Sequence, residues 1–73
     1  MTNVHPATAA VLRWFEYDHL PEYLKPTSQM AHDMAYEMVR RFPDGGAELT
    51  AGLRKLLESK DCFVRCAVDA HEA

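Results

Sequence analysis

Apolar residues recur at three- and four-residue steps in two long segments of the chain. In the first segment they are Met30, Ala31, Met34, Ala35, Met38, Val39 and Phe42. In the second they are Leu49, Leu53, Leu56, Leu57, Val64, Ala67 and Val68. This spacing predicts two amphipathic α-helices, each with one buried face, and the second should continue to about Ala70.

Prolines set the expected limits of the first long helix. Because proline lacks an amide donor and disfavours helix for the residue before it, Pro21 and Pro26 predict a turn or a single helical turn over residues 20–25. The long helix should then begin near Thr27 and end at Pro43. The alternative is a continuous helix with a kink at Pro26.

The connection between the two helices is short. Asp44, Gly45 and Gly46 predict a tight turn, and Glu48 is placed to accept hydrogen bonds from free amides at the start of the next helix. Helices joined by so few residues run antiparallel. The sequence therefore predicts an all-α fold built on an antiparallel helical hairpin.

The region before the hairpin contains a dense group of aromatic residues. Residues 1–6 are expected to form a loose tail and residues 7–13 a short helix. Residues 14–21 read Trp-Phe-Glu-Tyr-Asp-His-Leu-Pro and are called the aromatic strap below. In a structural interpretation, Trp14, Phe15 and Leu20 cap the open end of the hairpin. The whole chain, residues 1–73, forms one domain.

Size and composition limit what this domain can do. A chain of 73 residues buries little surface, so homo-oligomerisation is the expected source of further stability. Methionines at three of the predicted buried positions suit either an ordinary core or irregular contacts between subunits. The two cysteines have no zinc-site spacing and fit a reducing cytoplasm. No apolar run approaches the length of a membrane span.

Charge narrows the class of ligand. A net charge of −3 argues against binding to the backbone of duplex DNA or RNA, which requires many cations on one face. A small anionic ligand remains compatible, because a pocket needs only a few cations. No nucleophile, general base and oxyanion site occur together, so we expect no enzymatic activity and no metal or cofactor.

Two features are candidates for ligand binding. His32, Tyr36 and Arg40 follow one another at steps of four outside the apolar stripe, which places a ring for base stacking between groups that can carry positive charge. The alternative is an ordinary surface tyrosine. Lys60 falls in the middle of the second apolar stripe, where its stem either covers apolar surface while the ammonium reaches water, or borders a pocket for an anion.

The chain also resembles a known family. Four features are similar to the helical-hairpin family of bacteriophage anti-CBASS sponges. They are Trp14-Phe15-x-Tyr17-x-His19-x-Pro21, a helix that ends at Pro43, Gly45-x-x-Glu48, and Leu53-x-Lys55-Leu56-x-Glu58. The resemblance covers residues 14–68. Members of that family assemble into compact homo-oligomers, typically hexamers, and sequester the cyclic di- and trinucleotide signals of bacterial immune enzymes without cleaving them.

The resemblance implies specific roles for a few residues. Tyr17 would help to wall a cyclic dinucleotide pocket between subunits, with His19 of the same strap beside it. A basic residue in the middle of the next helix would meet a phosphate, and that position falls on His32. His32 departs from the family pattern, because an imidazole carries no fixed charge at neutral pH whereas the family's residue at this position is basic. Either ligand preference is altered, or Arg40 or Lys60 supplies the charge.

The resemblance thus implies a phage-encoded sponge, active in the cytoplasm of the infected bacterium. Its ligand would be a cyclic dinucleotide such as cyclic GMP-AMP, or a cyclic trinucleotide. The alternative is a small helical interaction module that docks on a host protein and inhibits it. A hydrolase that degrades the signal is a third hypothesis.

Overall fold

The fold consists of three α-helices and two short 3-10 helices. A computed structural model describes residues 4–73 and contains α1 (Pro6–Leu12), α2 (Lys25–Arg41) and α3 (Gly46–Glu72). The 3-10 helices span Arg13–Phe15 and Glu22–Leu24, at the two ends of the aromatic strap region. No strand occurs in the described residues, so the predicted all-α class is confirmed.

Helices α2 and α3 pack against each other in opposite directions. Met38 lines the same surface depression as Leu49, near the start of α3. Met30 lies eight residues before Met38 on α2. It lines a second depression with Phe63 and Ala67, near the end of α3. The reversed order gives an elongated hairpin, and the domain measures 43 × 19 × 18 Å.

The observed limits of α2 differ slightly from those predicted. The helix begins at Lys25, two residues before the expected start at Thr27. Pro26 lies in the first turn, where its missing amide hydrogen needs no helical partner, so the kink alternative does not apply. At the other end α2 stops at Arg41, with Phe42 as the C-cap residue before Pro43, as predicted.

The turn into α3 is tight, but Glu48 does not cap the helix. The Gly45 amide donates to the Phe42 carbonyl over 2.9 Å, so this amide is already satisfied by the turn itself. Gly46 adopts a φ of 57°, a left-handed conformation that glycine tolerates readily. Within residues 4–73 the Glu48 side chain forms no hydrogen bond, and the predicted capping contact is wrong.

The N-terminal helix begins within the segment predicted as a loose tail. Helix α1 starts at Pro6, and the His5 Nδ1 atom accepts a hydrogen bond from the Ala7 amide at 3.0 Å. Val4 packs against the core, so the chain is already held at this point. Residues 1–3 of the predicted tail lie outside the described residues. A hydrogen bond of 3.0 Å between the Thr8 and Thr50 hydroxyls joins α1 to α3.

A small core unites all three helices. Its buried members are Val11, Leu12, Phe15, Ala35, Val39 and Leu53. Phe15 is completely buried within this core, whereas Trp14 is 57% exposed and does not cap the hairpin. The two side chains are consecutive on a 3-10 helix, where successive residues point about 120° apart, so both cannot face the core. The Arg13 guanidinium instead lies over the Trp14 ring, 4.9 Å from its centroid.

The predicted buried face of α2 is only partly covered. Ala35 and Val39 are buried, but Met30 is 75% exposed, and Met34 and Phe42 are also exposed. Residues at steps of three and four form a broad stripe on a helix, and α3 alone is too narrow to cover all of it. The prediction that the methionines are buried is wrong for Met30 and Met34. An apolar surface therefore remains along the seam between α2 and α3.

The fold generates a prediction about Ser28. Its hydroxyl is fully buried on α2 and has no hydrogen-bond partner among residues 4–73. An unpartnered buried hydroxyl destabilises the folded state, and alanine is the better helix former. We expect Ser28→Ala to raise the free energy of unfolding by about 1 kcal/mol, measured by urea denaturation at fixed protein concentration.

The matched control is Thr8, a buried hydroxyl that does have a partner. Thr8→Val preserves the side-chain shape but removes the hydrogen bond to Thr50, so it should lower the free energy of unfolding by about 1 kcal/mol. If Ser28→Ala were as destabilising as Thr8→Val, the Ser28 hydroxyl would have to be satisfied in solution.

Candidate functional site

Three aromatic rings from the strap and α2 lie together on one side of the molecule. The Tyr17 and His32 rings meet edge to face, with centroids 5.0 Å apart and an interplanar angle of 74°. The His32 and Tyr36 rings are tilted by 35°, with centroids 4.5 Å apart. All three side chains are half-buried. Tyr17, His32 and Tyr36 are called the aromatic cluster below.

Local structure explains how these rings come together. His32 and Tyr36 are four residues apart on α2, so their side chains lie one above the other on one face of the helix. Tyr17 reaches them because Phe15, two residues earlier, is buried in the core and fixes the strap against α2. The sequence predicted that His32 and Tyr36 share a helix face, and the resemblance placed Tyr17 in the same pocket as His32. The structure brings the three rings together within one chain.

The His32 ring is oriented by its neighbour in sequence. Its Nδ1 atom lies 3.0 Å from the Asp33 Oδ1 atom. An ionised carboxylate only accepts hydrogen bonds, so this contact places a proton on Nδ1. In the neutral ring Nε2 is then an acceptor, and it becomes a donor only when the ring is protonated. His32 can therefore donate to a phosphate from Nε2 only as imidazolium.

The Tyr36 phenol is held by a carboxylate from the strap. Its hydroxyl donates to the Glu16 Oε1 atom over 3.5 Å, a long hydrogen bond. Burial of the ring raises the pKa of the Tyr36 phenol, and the nearby Glu16 charge and hydrogen bond raise it further. Tyr36 is therefore a neutral, oriented ring at physiological pH.

Arg40 lies one turn beyond Tyr36 and is paired with an acid. Its guanidinium bonds to both carboxylate oxygens of Glu37, and the Arg41 Nε atom donates to the same carboxylate over 2.7 Å. Hydrogen bonds from Arg40 and then Arg41 lower the pKa of Glu37 to about 2. One carboxylate between two guanidinium groups leaves a net positive charge at this end of α2. Arg40 is thus a shared rather than a free cation.

Two other residues proposed from the sequence lie apart from the aromatic cluster. The Lys60 ammonium donates to the Trp14 carbonyl over 3.1 Å, and the side chain is only 13% exposed. It satisfies a backbone carbonyl at the first 3-10 helix instead of reaching bulk water. His19 is exposed, and its side chain forms no hydrogen bond or ring contact with any other residue in 4–73.

Sequence reasoning missed the acidic residues that organise this site. Glu37 could have been found, because it lies three and four residues before two arginines on one helix. Asp33 is adjacent to His32 in the sequence, but nothing there indicates that it would bond to the ring. Glu16 meets Tyr36 only through the tertiary fold, since 20 residues separate them.

The arrangement suits noncovalent binding of a planar, anionic molecule. The cluster offers aromatic faces and edges, while His32 and the Arg40–Glu37–Arg41 group offer donors to an anion. Within residues 4–73, no group of three histidine, cysteine or acidic side chains could hold a metal ion. No described helix combines the length and apolar character needed to cross a membrane.

Comparisons with known proteins provide no relative for this chain. No family model, no curated protein and no solved structure matches it.

The geometry of the site predicts how Tyr36 titrates. Because Glu16 contributes to the raised pKa of the Tyr36 phenol, Glu16→Gln should lower that pKa while burial keeps part of the shift. The measurement is the pH dependence of the tyrosine ring-carbon resonances in labelled protein. Glu22→Gln is the control, since Glu22 pairs with Lys25. Equal tyrosine titration in both variants would contradict the Glu16 contact.

Proposed function

We propose that this protein is a sponge that binds a cyclic dinucleotide signal and sequesters it stoichiometrically. The observation that carries the proposal is the aromatic cluster of Tyr17, His32 and Tyr36, one helical turn from the guanidinium groups that bond to Glu37. Bases stack on aromatic rings, and phosphates seek charged donors. The resemblance of the strap and hairpin to phage anti-CBASS sponges supports the same function.

Each part of the proposed site has a separate task. Tyr17 stacks with a base, and Tyr36 supports the ring of His32 between them. Protonated His32 donates from Nε2 to a phosphate, since Nδ1 is engaged by Asp33. Arg40 contributes positive charge, reduced by its pairing with Glu37. His19 and Lys60 are left out of this proposed site, because neither contacts the cluster.

A second copy of the chain completes the proposed pocket. The cluster is half-buried on the side of a narrow hairpin, and α2 and the strap provide a wall on one side only. A small-molecule site normally buries most of its ligand. We therefore propose a homo-oligomer, a hexamer by analogy with the resembled family, in which another subunit covers the ligand. The proposed host is an infected bacterium, in which the captured signal no longer reaches its effector.

The role of Tyr17 can be tested by calorimetric titration with cyclic GMP-AMP and a panel of cyclic di- and trinucleotides. Tyr17→Ala should weaken binding by about 1–3 kcal/mol, because a stacking face is lost. Tyr23→Ala is the matched control, since Tyr23 stacks on His71 with centroids 3.7 Å apart, away from the cluster. Tyr23→Ala should preserve the affinity.

The same titrations distinguish the rival functions. A sponge binds the ligand and releases it unchanged after denaturation, whereas a hydrolase would accumulate product beyond one equivalent per site. Heat signals absent for every cyclic nucleotide would overturn the proposal and favour a module that docks on a host protein. Equal losses for Tyr17→Ala and Tyr23→Ala would remove the aromatic cluster from the site.

The role of His32 predicts a pH-dependent affinity. If Nε2 donates to a phosphate, the complex binds one more proton than the free protein does, so lower pH favours the complex. Affinity should rise as pH is lowered from about 7.5 to 6, because the protonated ring is the form that donates from Nε2. His32→Lys should abolish this dependence and strengthen binding near neutrality, because the lysine charge is permanent.

Calorimetry at several pH values tests both proteins. Titration with a cyclic dinucleotide, whose phosphodiesters stay ionised over this range, isolates the protein's own proton. One flat profile shared by wild type and His32→Lys would show that His32 is not the phosphate contact. Arg40→Gln would then be the next variant to titrate, because Arg40 is the nearest remaining cation on the same face of α2.

A further inference from the structure

An apolar groove follows the seam between α2 and α3, on the other side of α2 from the aromatic cluster. It consists of two depressions of about 450 and 610 Å³ that share Met34 and Leu56. Met34 and Tyr36 are two residues apart, which is about 200° around a helix, so the groove and the cluster face different directions. Met30 and Phe63, both largely exposed, line the second depression.

We propose that this groove binds the same groove of a second copy of the chain around a two-fold axis through Met34 and Leu56. The axis exchanges the two depressions, because Met34 and Leu56 belong to both. An interface of this kind is self-complementary, since each copy presents the same surface. Phe63 is the projecting side chain, and the surface around Gly52 is the recess that receives it.

The spacing along α3 supports this register. Phe63 lies seven residues beyond Leu56, about 10 Å along the helix, and Leu49 lies the same distance before it. The axis therefore brings Phe63 opposite Leu49 of the second copy. Helical side chains lean toward the N-terminus of their own helix, which moves the phenyl ring toward Gly52 of the second copy.

The recess at Gly52 has room for this ring. Gly52 lines the first depression, and a Cβ atom built on it would meet nothing within 4 Å. A phenyl ring placed there would contact Leu49 and Leu53 of the receiving copy, which line the same depression. The absent side chain at Gly52 thus matches the exposed ring of Phe63.

Charge favours the same antiparallel arrangement. Glu48 lines the first depression and Lys60 the second, so the groove carries opposite charges toward its two ends. The two-fold axis brings the Glu48 end of one copy toward the Lys60 end of the other, whereas a parallel arrangement would align like charges. The Lys60 ammonium has three donors: the Trp14 carbonyl accepts from one of them, and the Asp61 Oδ1 atom lies 3.7 Å from the same nitrogen.

A second copy would also cover apolar side chains that the small core leaves exposed. Only seven apolar side chains are buried among residues 4–73, while Met30, Met34, Phe42 and Phe63 remain exposed along the seam. Contiguous exposed apolar surface of this kind marks an interaction site. The interface specifies one contact of the homo-oligomer proposed above, and it does not depend on the ligand, because the aromatic cluster stays uncovered.

The first test compares two exposed aromatic residues by light scattering. Phe63→Glu places a charge in the recess of the second copy, so the mass should fall to about half that of the wild type, as expected when one two-fold contact is lost. Trp14→Glu is the matched control, because Trp14 is similarly exposed and lies outside the groove. A wild-type mass of 8.3 kDa, or a Phe63→Glu mass equal to wild type, would overturn the interface.

The second test is disulfide formation, which does not require a disruptive charge. Cys62→Ser and Cys66→Ser first remove the two exposed native thiols. A chain with Gly52→Cys, mixed with a chain with Phe63→Cys, should form a mixed disulfide dimer under mild oxidation, identified by intact mass. Ala70→Cys replaces Phe63→Cys in the control mixture, since Ala70 is exposed outside the groove. Equal yields in both mixtures would contradict the register.

The outcomes separate this interface from the proposed function. A dimer linked through Gly52→Cys and Phe63→Cys, in a protein that binds no cyclic nucleotide, supports the interface and removes the sponge. An oligomer unaffected by Phe63→Glu, in a protein that binds cyclic GMP-AMP, removes the interface and leaves the sponge.

Discussion

Burial of the Phe15 ring is the interaction on which the rest of the structure depends. Phe15 ends the first 3-10 helix and is enclosed by core residues from α1, α2 and α3. Since a phenyl ring is a large part of so small a core, its burial joins the N-terminal segment to the hairpin. The same contact fixes the direction of the strap, so Glu16 and Tyr17 reach Tyr36 and His32 on α2.

The small core also explains why one side of α2 is covered by the strap while another side stays open. Ala35 and Val39 face the core and are buried. The strap covers the side that carries His32 and Tyr36, and it brings polar and aromatic groups there. The side that carries Met30 and Met34 meets only α3 and remains open. One helix therefore carries an aromatic cluster on one side and, separately, borders an open apolar groove on another.

Charges are arranged to orient groups more than to create a strong positive field. Glu37 holds two arginines, Asp33 holds the His32 ring, and Glu16 holds the Tyr36 phenol. These carboxylates lie on the same side as the proposed phosphate contact. An anion at this position would therefore rely on specific hydrogen-bond donors.

The sequence alone determined the all-α class, the hairpin and most helix limits, because apolar periodicity and proline or glycine positions act locally. It also determined that His32 and Tyr36 share a face, since four residues make about one helical turn. Only the tertiary structure decided that Phe15 is buried while Trp14 is exposed, and that Lys60 bonds to the Trp14 carbonyl. Periodicity marks apolar positions but not how many neighbours exist to cover them, so the exposure of Met30 and Met34 had to come from packing.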